Sequence, residues 1–267
     1  MIDYHIHTVY SCDSLLEHKM VCNRAIELGF DEIAFTEHHD FDPLDEGYGF
    51  YDYAKVLSRI TEMKQAYGKK LAIKHGVEIT YQKSREQEIS DFLEDKEYDF
   101  VVGSVHLVGS FDVSQDAGTE EFFKNRTREE AFLSYFEVNR SLAESGLFDC
   151  LGHFEMIRRY AINYIDDYSY EEYAEIVDEI IRLLVKKEVV LEVNTSGLRH
   201  LPKETYPRFA LIERFLELGG SYMTIGSDSH LIEHIGYKIP ETVEQLKQIG
   251  VTGLTIFDGR RKKVYNV

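Results

Sequence analysis

Short apolar runs alternate with amphipathic helical segments from one end of this 267-residue chain to the other, and that alternation leaves few folds open. Strand-like runs occupy 2–8, 32–36, 70–79, 100–106, 148–153, 189–194, 222–227 and 253–257. Helical periodicity covers 15–28 (ended by Gly29), 51–67, 84–93, 128–145, 170–187, 204–218 and 242–250. Repeated strand–helix units imply a parallel sheet, because joining parallel neighbours takes a crossover long enough to hold a helix. So many units in succession favour a closed barrel over an open sheet. The 43% hydrophobic content is enough for a full core. No Gly/Ser/Pro-rich linker, internal repeat or low-complexity segment breaks the pattern, so the expectation is one domain over 1–267.

In a barrel of this kind the reactive side chains gather at the C-terminal mouth. The residues that end the strands are His5 and His7, His38, Glu78, His106, His153, Asn194, and Asp228 with His230. Residues two apart in a strand share a face, so His5 and His7 point together, as do Asp228 and His230. Imidazoles and carboxylates presented side by side suit divalent transition metals. His5 and His7 would belong to a solvated face unless Ile2, Tyr4 and Ile6 pack on the other side, as an enclosed barrel strand requires. Glu78 closes an apolar stretch where a lone carboxylate is costly, and a bridging place between two cations resolves that cost. His106 and His153, taken singly, read as core histidines; within this series they read as ligands. Asp13, six residues past His7, is either a further ligand or a helix N-cap. His39 is expected to support its neighbour His38, His18 to face solvent, and His75 and His234 to be structural.

Arg158 and Arg159 follow His153, and Arg199 with His200 follows Asn194. Guanidinium groups match phosphate oxygens in bidentate geometry, so these four are candidate substrate-binding residues, with surface ion pairing as the alternative. The formal charge of −18 argues against nucleic-acid or anionic-membrane binding. Cys12, Cys22 and Cys150 form neither a disulfide framework nor a CxxC zinc site. With a strand from residue 2 and no apolar run approaching the ~20 residues of a membrane span, a cytoplasmic protein is expected.

The set His5-Ile6-His7, Thr36-Glu37-His38, Gly76-Val77-Glu78, Ser104-Val105-His106, Gly152-His153 and Ser227-Asp228-Ser229-His230 resembles the ordered motifs of the PHP (polymerase and histidinol phosphatase) superfamily, over the whole chain. The segments from Gly152 to Tyr160 and from Leu191 to Arg199 resemble its histidinol-phosphate phosphatase branch. The resemblance implies a distorted (β/α)7 barrel with a trinuclear centre. By position, His5, His7, Glu78 and Asp228 would hold one metal, Glu78, His106 and His153 a second, and Asp13, His38 and His230 a third. Related proteins often carry His where this chain has Asp13, a harder donor, so the expectation is two to three divalent metals: zinc, iron or manganese.

The implied activity is hydrolysis of L-histidinol phosphate, with Asp228 accepting a proton and a metal-bound water, His230 or His200 returning one to the leaving alcohol. The alternatives are a PHP phosphoesterase for another substrate (a phosphotyrosine peptide, a nucleotide or a cyclic phosphate), distinguished by comparable turnover on unrelated substrates, and a metal-binding module without activity, which would be expected to lack core ligands. The substrate amine and imidazole would need acceptors, for which Asp42, Asp45, Glu46, Asp112 and Asp116 are available. No nucleic acid or membrane partner is expected.

Overall fold

Seven parallel strands carry the architecture of the computed structural model, which describes residues 1–267. They are β1 (Ile2–Ile6), β2 (Glu32–His39), β3 (Ala72–Thr80), β4 (Phe100–Ser104) and, after a small antiparallel hairpin of β5 (Leu107–Val108) and β6 (Phe111–Asp112), β7 (Cys150–Leu151), β8 (Val190–Asn194) and β9 (Met223–Gly226). Each pairs in parallel with the next around the sheet. The circle is drawn together where His7 N donates to Ser229 O at 2.9 Å and Ser229 N to His5 O at 3.3 Å. This is a nearly closed, distorted (β/α)7 barrel. The strands are buried almost throughout, as expected of strands covered on both faces. One continuous core of 64 apolar residues joins the barrel to its helices.

Helices α1 (His18–Glu27), α2 (Tyr53–Tyr67), α3 (Glu86–Glu94), α4 (Asp116–Lys124), α5 (Arg128–Ser145), α6 (Arg158–Ala161), α7 (Ala174–Lys187), α8 (Phe209–Glu217) and α9 (Ile239–Gln248) occupy the connections. α5 begins at a capping box, in which Thr127 and Glu130 satisfy each other's backbone N–H groups, and ends at Gly146 with φ 72°. The segment between β4 and α5, expected as a long loop as far as 119, instead holds the β5–β6 hairpin and α4.

Three expectations need correction. The run at 253–257 is not a barrel strand. It forms β10 (Gly253–Asp258), paired antiparallel with β11 (Arg261–Asn266). Gly259 and Arg260 both have positive φ, the two-residue turn whose twist suits a hairpin, so the chain folds back on itself there. Second, strict alternation fails in β1: its register against β2 shifts between Asp3 and Ile6, although Ile2, Tyr4 and Ile6 are all buried, with Tyr4 edge-on to Phe100 of β4. Third, His18 is buried, not solvent-facing. With Val21, Cys22 and Ala25 it makes the inward stripe of α1, and its ring lies 4.4 Å from that of Phe35. His75 is packed between the rings of Tyr53 and Tyr98.

The β10–β11 hairpin floors the barrel at the N-terminal ends of the strands. Phe257 stacks 4.7 Å from Phe100, and its N–H donates to Tyr4 Oη at 2.9 Å. Arg260 reaches Asp149 at 3.0 Å and Lys262 reaches Glu188 at 3.1 Å, just before β7 and β8. Phe257→Ala should therefore lower unfolding free energy by about 3–5 kcal/mol, the usual cost of deleting a buried ring, as read from urea denaturation. Burial pushes His75 down to about 4 and His18 down to about 3, so the unfolded chain takes up protons first as pH falls below about 6.5. Their contribution is complete above that pH and is lost toward pH 4 at up to about 1.4 kcal/mol per pH unit for each histidine. Urea midpoints for wild type and His75→Phe, compared between pH 7.5 and 5, should show a shallower fall in the variant.

Candidate metal centre

Glu78 sits at the C-terminal part of β3 with its carboxylate fully buried at the barrel mouth. Its two oxygens face different groups of imidazoles. Oε2 lies 3.2 Å from His5 Nε2, 3.4 Å from His7 Nε2 and 3.1 Å from His38 Nδ1. Oε1 lies 2.8 Å from His153 Nε2 and 3.6 Å from His106 Nε2, and accepts from Ser104 Oγ. Asp228 Oδ1 approaches His7 Nε2 at 3.6 Å and His230 Nδ1 at 3.5 Å. Asp13 Oδ2 is 2.9 Å from His230 Nε2 and 3.6 Å from His38 Nε2. Imidazoles from β1 and the residue after it, from β2, and from the loops after β4 and β7, far apart in sequence, thus converge on one carboxylate. The donor atoms of His5, His7 and Asp228, of His5, Glu78 and His153, and of His7, His38 and His230 form three groups, each within 4.8 Å.

A metal explains atoms that otherwise lack partners. His5 Nε2, His7 Nε2 and Glu78 Oε2 are buried without a hydrogen bond, a rare and costly condition for polar atoms. The opposite ring nitrogens are held by the protein. His5 Nδ1 contacts Glu192 Oε1 at 2.7 Å, His106 Nδ1 contacts Thr80 Oγ1 at 2.7 Å, and His7 Nδ1 lies 3.2 Å from Ser11 Oγ. Such contacts fix the ring and direct Nε2 toward the centre. Glu192 also accepts from His153 N at 2.6 Å, and Glu37 accepts from Ser11 Oγ at 2.7 Å and Thr8 N at 2.9 Å. The donor set fits two to three divalent transition metals.

The electrostatics are those of a site built for cations. Burial pushes Glu78 up, yet His5, His38, His106 and His153 more than offset it, so its carboxyl is held well below its ordinary range. Asp228 is likewise held well below, chiefly by His5 and His230 against the effect of burial. Burial drives His106 down to about 3, leaving a neutral imidazole as metal ligation requires. Asp228 and His153 have positive φ, 52° and 22°, a backbone strain that non-glycine residues accept mainly at functional sites.

The centre opens into a cleft of about 600 Å³ with sixteen lining residues, only two of them hydrophobic. Asp13, His38, Glu78, His106, His153, Asp228 and His230 line it, along with Arg159. Of the four expected substrate-binding residues, Arg159 alone does so. Arg158 is turned into the protein, ion-paired with Asp167 and Glu204 at 2.6 Å each, because consecutive positions on α6 point about 100° apart. Arg199 lies behind Asp228: it donates to Ser227 O at 2.8 Å and Asp228 O at 2.9 Å, with its guanidinium over Tyr237. His200 stands 3.3 Å from Tyr206 Oη and is pushed down to about 3 by burial and by Arg159, which removes it as a proton donor near neutral pH. His39 supports no ligand; it fills an aromatic pocket of Phe41, Tyr51 and Phe92.

Sequence reading overlooked Glu192, Thr80, Ser11 and Asp40. Glu192 had a signal, being a carboxylate inside an apolar strand two residues before Asn194. The hydroxyl partners had none.

The family model of the PHP domain matches residues 3–196. A histidinol-phosphatase of Lactococcus lactis is 31% identical over 264 residues, 97% of this chain and 95% of that protein. A probable histidinol-phosphatase of Clostridium acetobutylicum is 31% identical over 241 residues, 88% of this chain and 89% of that one. The crystal structure of the Lactococcus lactis histidinol phosphate phosphatase, complexed with zinc, L-histidinol and phosphate, superposes with a TM-score of 0.88 at 29% identity, covering 98% of both chains. With matching motifs, barrel and whole-length relatives, the chain belongs to the PHP domain family.

Proposed function

We propose that this chain is a metal-dependent phosphomonoesterase that hydrolyses L-histidinol phosphate to L-histidinol and phosphate. The observation that carries the reading is Glu78, whose two oxygens divide five imidazoles between them at the foot of a small polar cleft. The whole-length similarity to histidinol-phosphatases supports the substrate. His5, His7, Glu78 and Asp228 would hold one ion, Glu78, His106 and His153 a second, and Asp13, His38 and His230 a third. Bound there, divalent ions supply Lewis acidity, which can bring water from a pKa of ~15.7 to ~7 and neutralise phosphoryl oxygens.

The residues of the chain do the rest. Arg159 binds the phosphoryl oxygens from the rim. Asp228 takes a proton from the attacking water, its backbone braced by Arg199. His230, beside Asp228 and open to the cleft, would return a proton to the leaving alcohol only with the third ion's place unfilled, since a metal-bound imidazole nitrogen carries no proton to give. Burying imidazoles and carboxylates together keeps solvent from screening these charges. The free cysteines Cys12, Cys22 and Cys150 fit a reducing cytoplasm, where we place the reaction as a step of histidine biosynthesis. No helix is long and apolar enough to cross a membrane.

A phosphate-release assay over a panel of phosphomonoesters on metal-analysed protein tests the reading. Strong preference for L-histidinol phosphate is expected; equal turnover of unrelated esters would replace it with a broad phosphoesterase. In the same assay Arg159→Ala should raise KM about 10–100-fold, the loss of one charge-assisted contact. Arg199→Ala, acting through Asp228, should lower kcat with KM within about twofold. His153→Ala should lower the metal content measured by elemental mass spectrometry, and full occupancy with full activity would remove it from the centre.

A further inference from the structure

The loop after β2 and the β5–β6 hairpin both lean over the cleft, and their acidic residues divide into two sets. Asp42 is turned away, 3.9 Å from Arg85, and Asp116 accepts from Tyr164 at 2.9 Å outside the cleft. Asp40, Asp45, Glu46 and Asp112 line the cleft, and none of the four pairs with a lysine or arginine. Asp40 is only 3% exposed, and its Oδ1 has no hydrogen-bond partner. Asp45 accepts from Gly47 N at 2.9 Å, which folds the loop back over Asp40. A Cβ at position 47 would sit 2.2 Å from Asp40 Oδ2 and displace that carboxylate, so glycine there leaves it room.

Donor atoms of Asp40, Asp45 and His106 come within 4.8 Å of one another, a spacing that also occurs in metal sites. His106 is already committed, however. Its Nδ1 is held by Thr80, and its Nε2 faces His153 at 3.4 Å and Glu78 at 3.6 Å. What remains is a group of carboxylates without a counter-cation, which matches an ammonium donor of several N–H bonds better than a metal wanting imidazole. The cleft is therefore bipolar. Its floor of imidazoles and carboxylates, once it held divalent cations, and Arg159 would suit a dianion, and its β2 and β5–β6 rim suits a cation.

We infer that Asp40, Asp45 and Asp112 form the subsite for the protonated amine of the leaving alcohol and so set the preference for phosphate esters of amino alcohols. This rests on the phosphomonoesterase reading above. The subsite makes charge-assisted contacts with the leaving group, while the floor handles phosphate.

The test compares kcat/KM for 2-aminoethyl phosphate with that for ethyl phosphate, its analogue without the amino group, in wild type, Asp45→Asn and Asp112→Asn, together with calorimetric binding of L-histidinol. The expected result is a fall of at least tenfold in the amine-to-ethyl ratio and a parallel loss of L-histidinol affinity. An unchanged ratio overturns the proposal however the absolute rates move, because general damage to the fold lowers both substrates alike. Loss of one equivalent of bound metal in Asp45→Asn with an unchanged ratio would assign the cluster to a divalent ion instead, and overturns it too. The two readings fail separately. A wild-type enzyme indifferent to L-histidinol phosphate, with a ratio that still falls in the variants, would refute the substrate but leave the amine subsite standing.

Discussion

A carboxylate buried at the axis of the barrel governs this molecule. Glu78 has no contact with solvent, and burial alone would force it to take up a proton. It remains ionised because imidazoles from β1, β2 and the loops after β4 and β7 crowd both of its oxygens. Burial is costly to each partner alone, and the opposite charges offset part of that cost together. This crowding explains why the strands must register closely at the mouth, why His5 is gripped by Glu192, and why Asp228 and His153 tolerate unfavourable backbone angles. Protons and metal ions compete for the same lone pairs, so the geometry that holds Glu78 ionised is also a geometry for ligating divalent metals.

Stability and chemistry are assigned to opposite ends of the barrel. The C-terminal mouth is polar, strained and lined with groups that lack ordinary partners. The N-terminal end is closed by the β10–β11 hairpin, with Phe257 stacked on Phe100 and basic side chains of the hairpin reaching acidic residues just before the strands. Charge does not follow this division: in a chain at −18 the cleft too is lined by seven carboxylates, beside four imidazoles and one guanidinium, so only bound divalent cations would make it attractive to a small dianion.

The clustering was legible because strand ends in a parallel barrel share one rim, so a histidine or carboxylate at each end is already a statement about proximity. His5, His7, His38, Glu78, His106, His153, Asp228 and His230 follow from that rule and from the family resemblance, and the structure brings them together. The rule runs out at side chains on turns and short helices. Arg158 and Arg159 are adjacent in sequence, and a rotation about α6 sends one into an ion pair with Asp167 and the other into the cleft. Arg199 lies near the centre but spends its donors on the carbonyls that shape Asp228. His18 read as an exposed helix residue because its sequence neighbours are charged, though its α1 stripe faces inward.

The alternation of elements, the polar residue at each strand end and the resemblance they carry belong to the sequence alone, because periodicity and strand parity are local properties of a chain. Which of two neighbouring arginines faces the cleft, which loop carboxylates stay unpaired above it, and whether the last strand joins the barrel or floors it belong to the tertiary structure. Those outcomes depend on rotations and ion pairs between segments far apart in the chain, and no local pattern encodes a partner that only folding supplies.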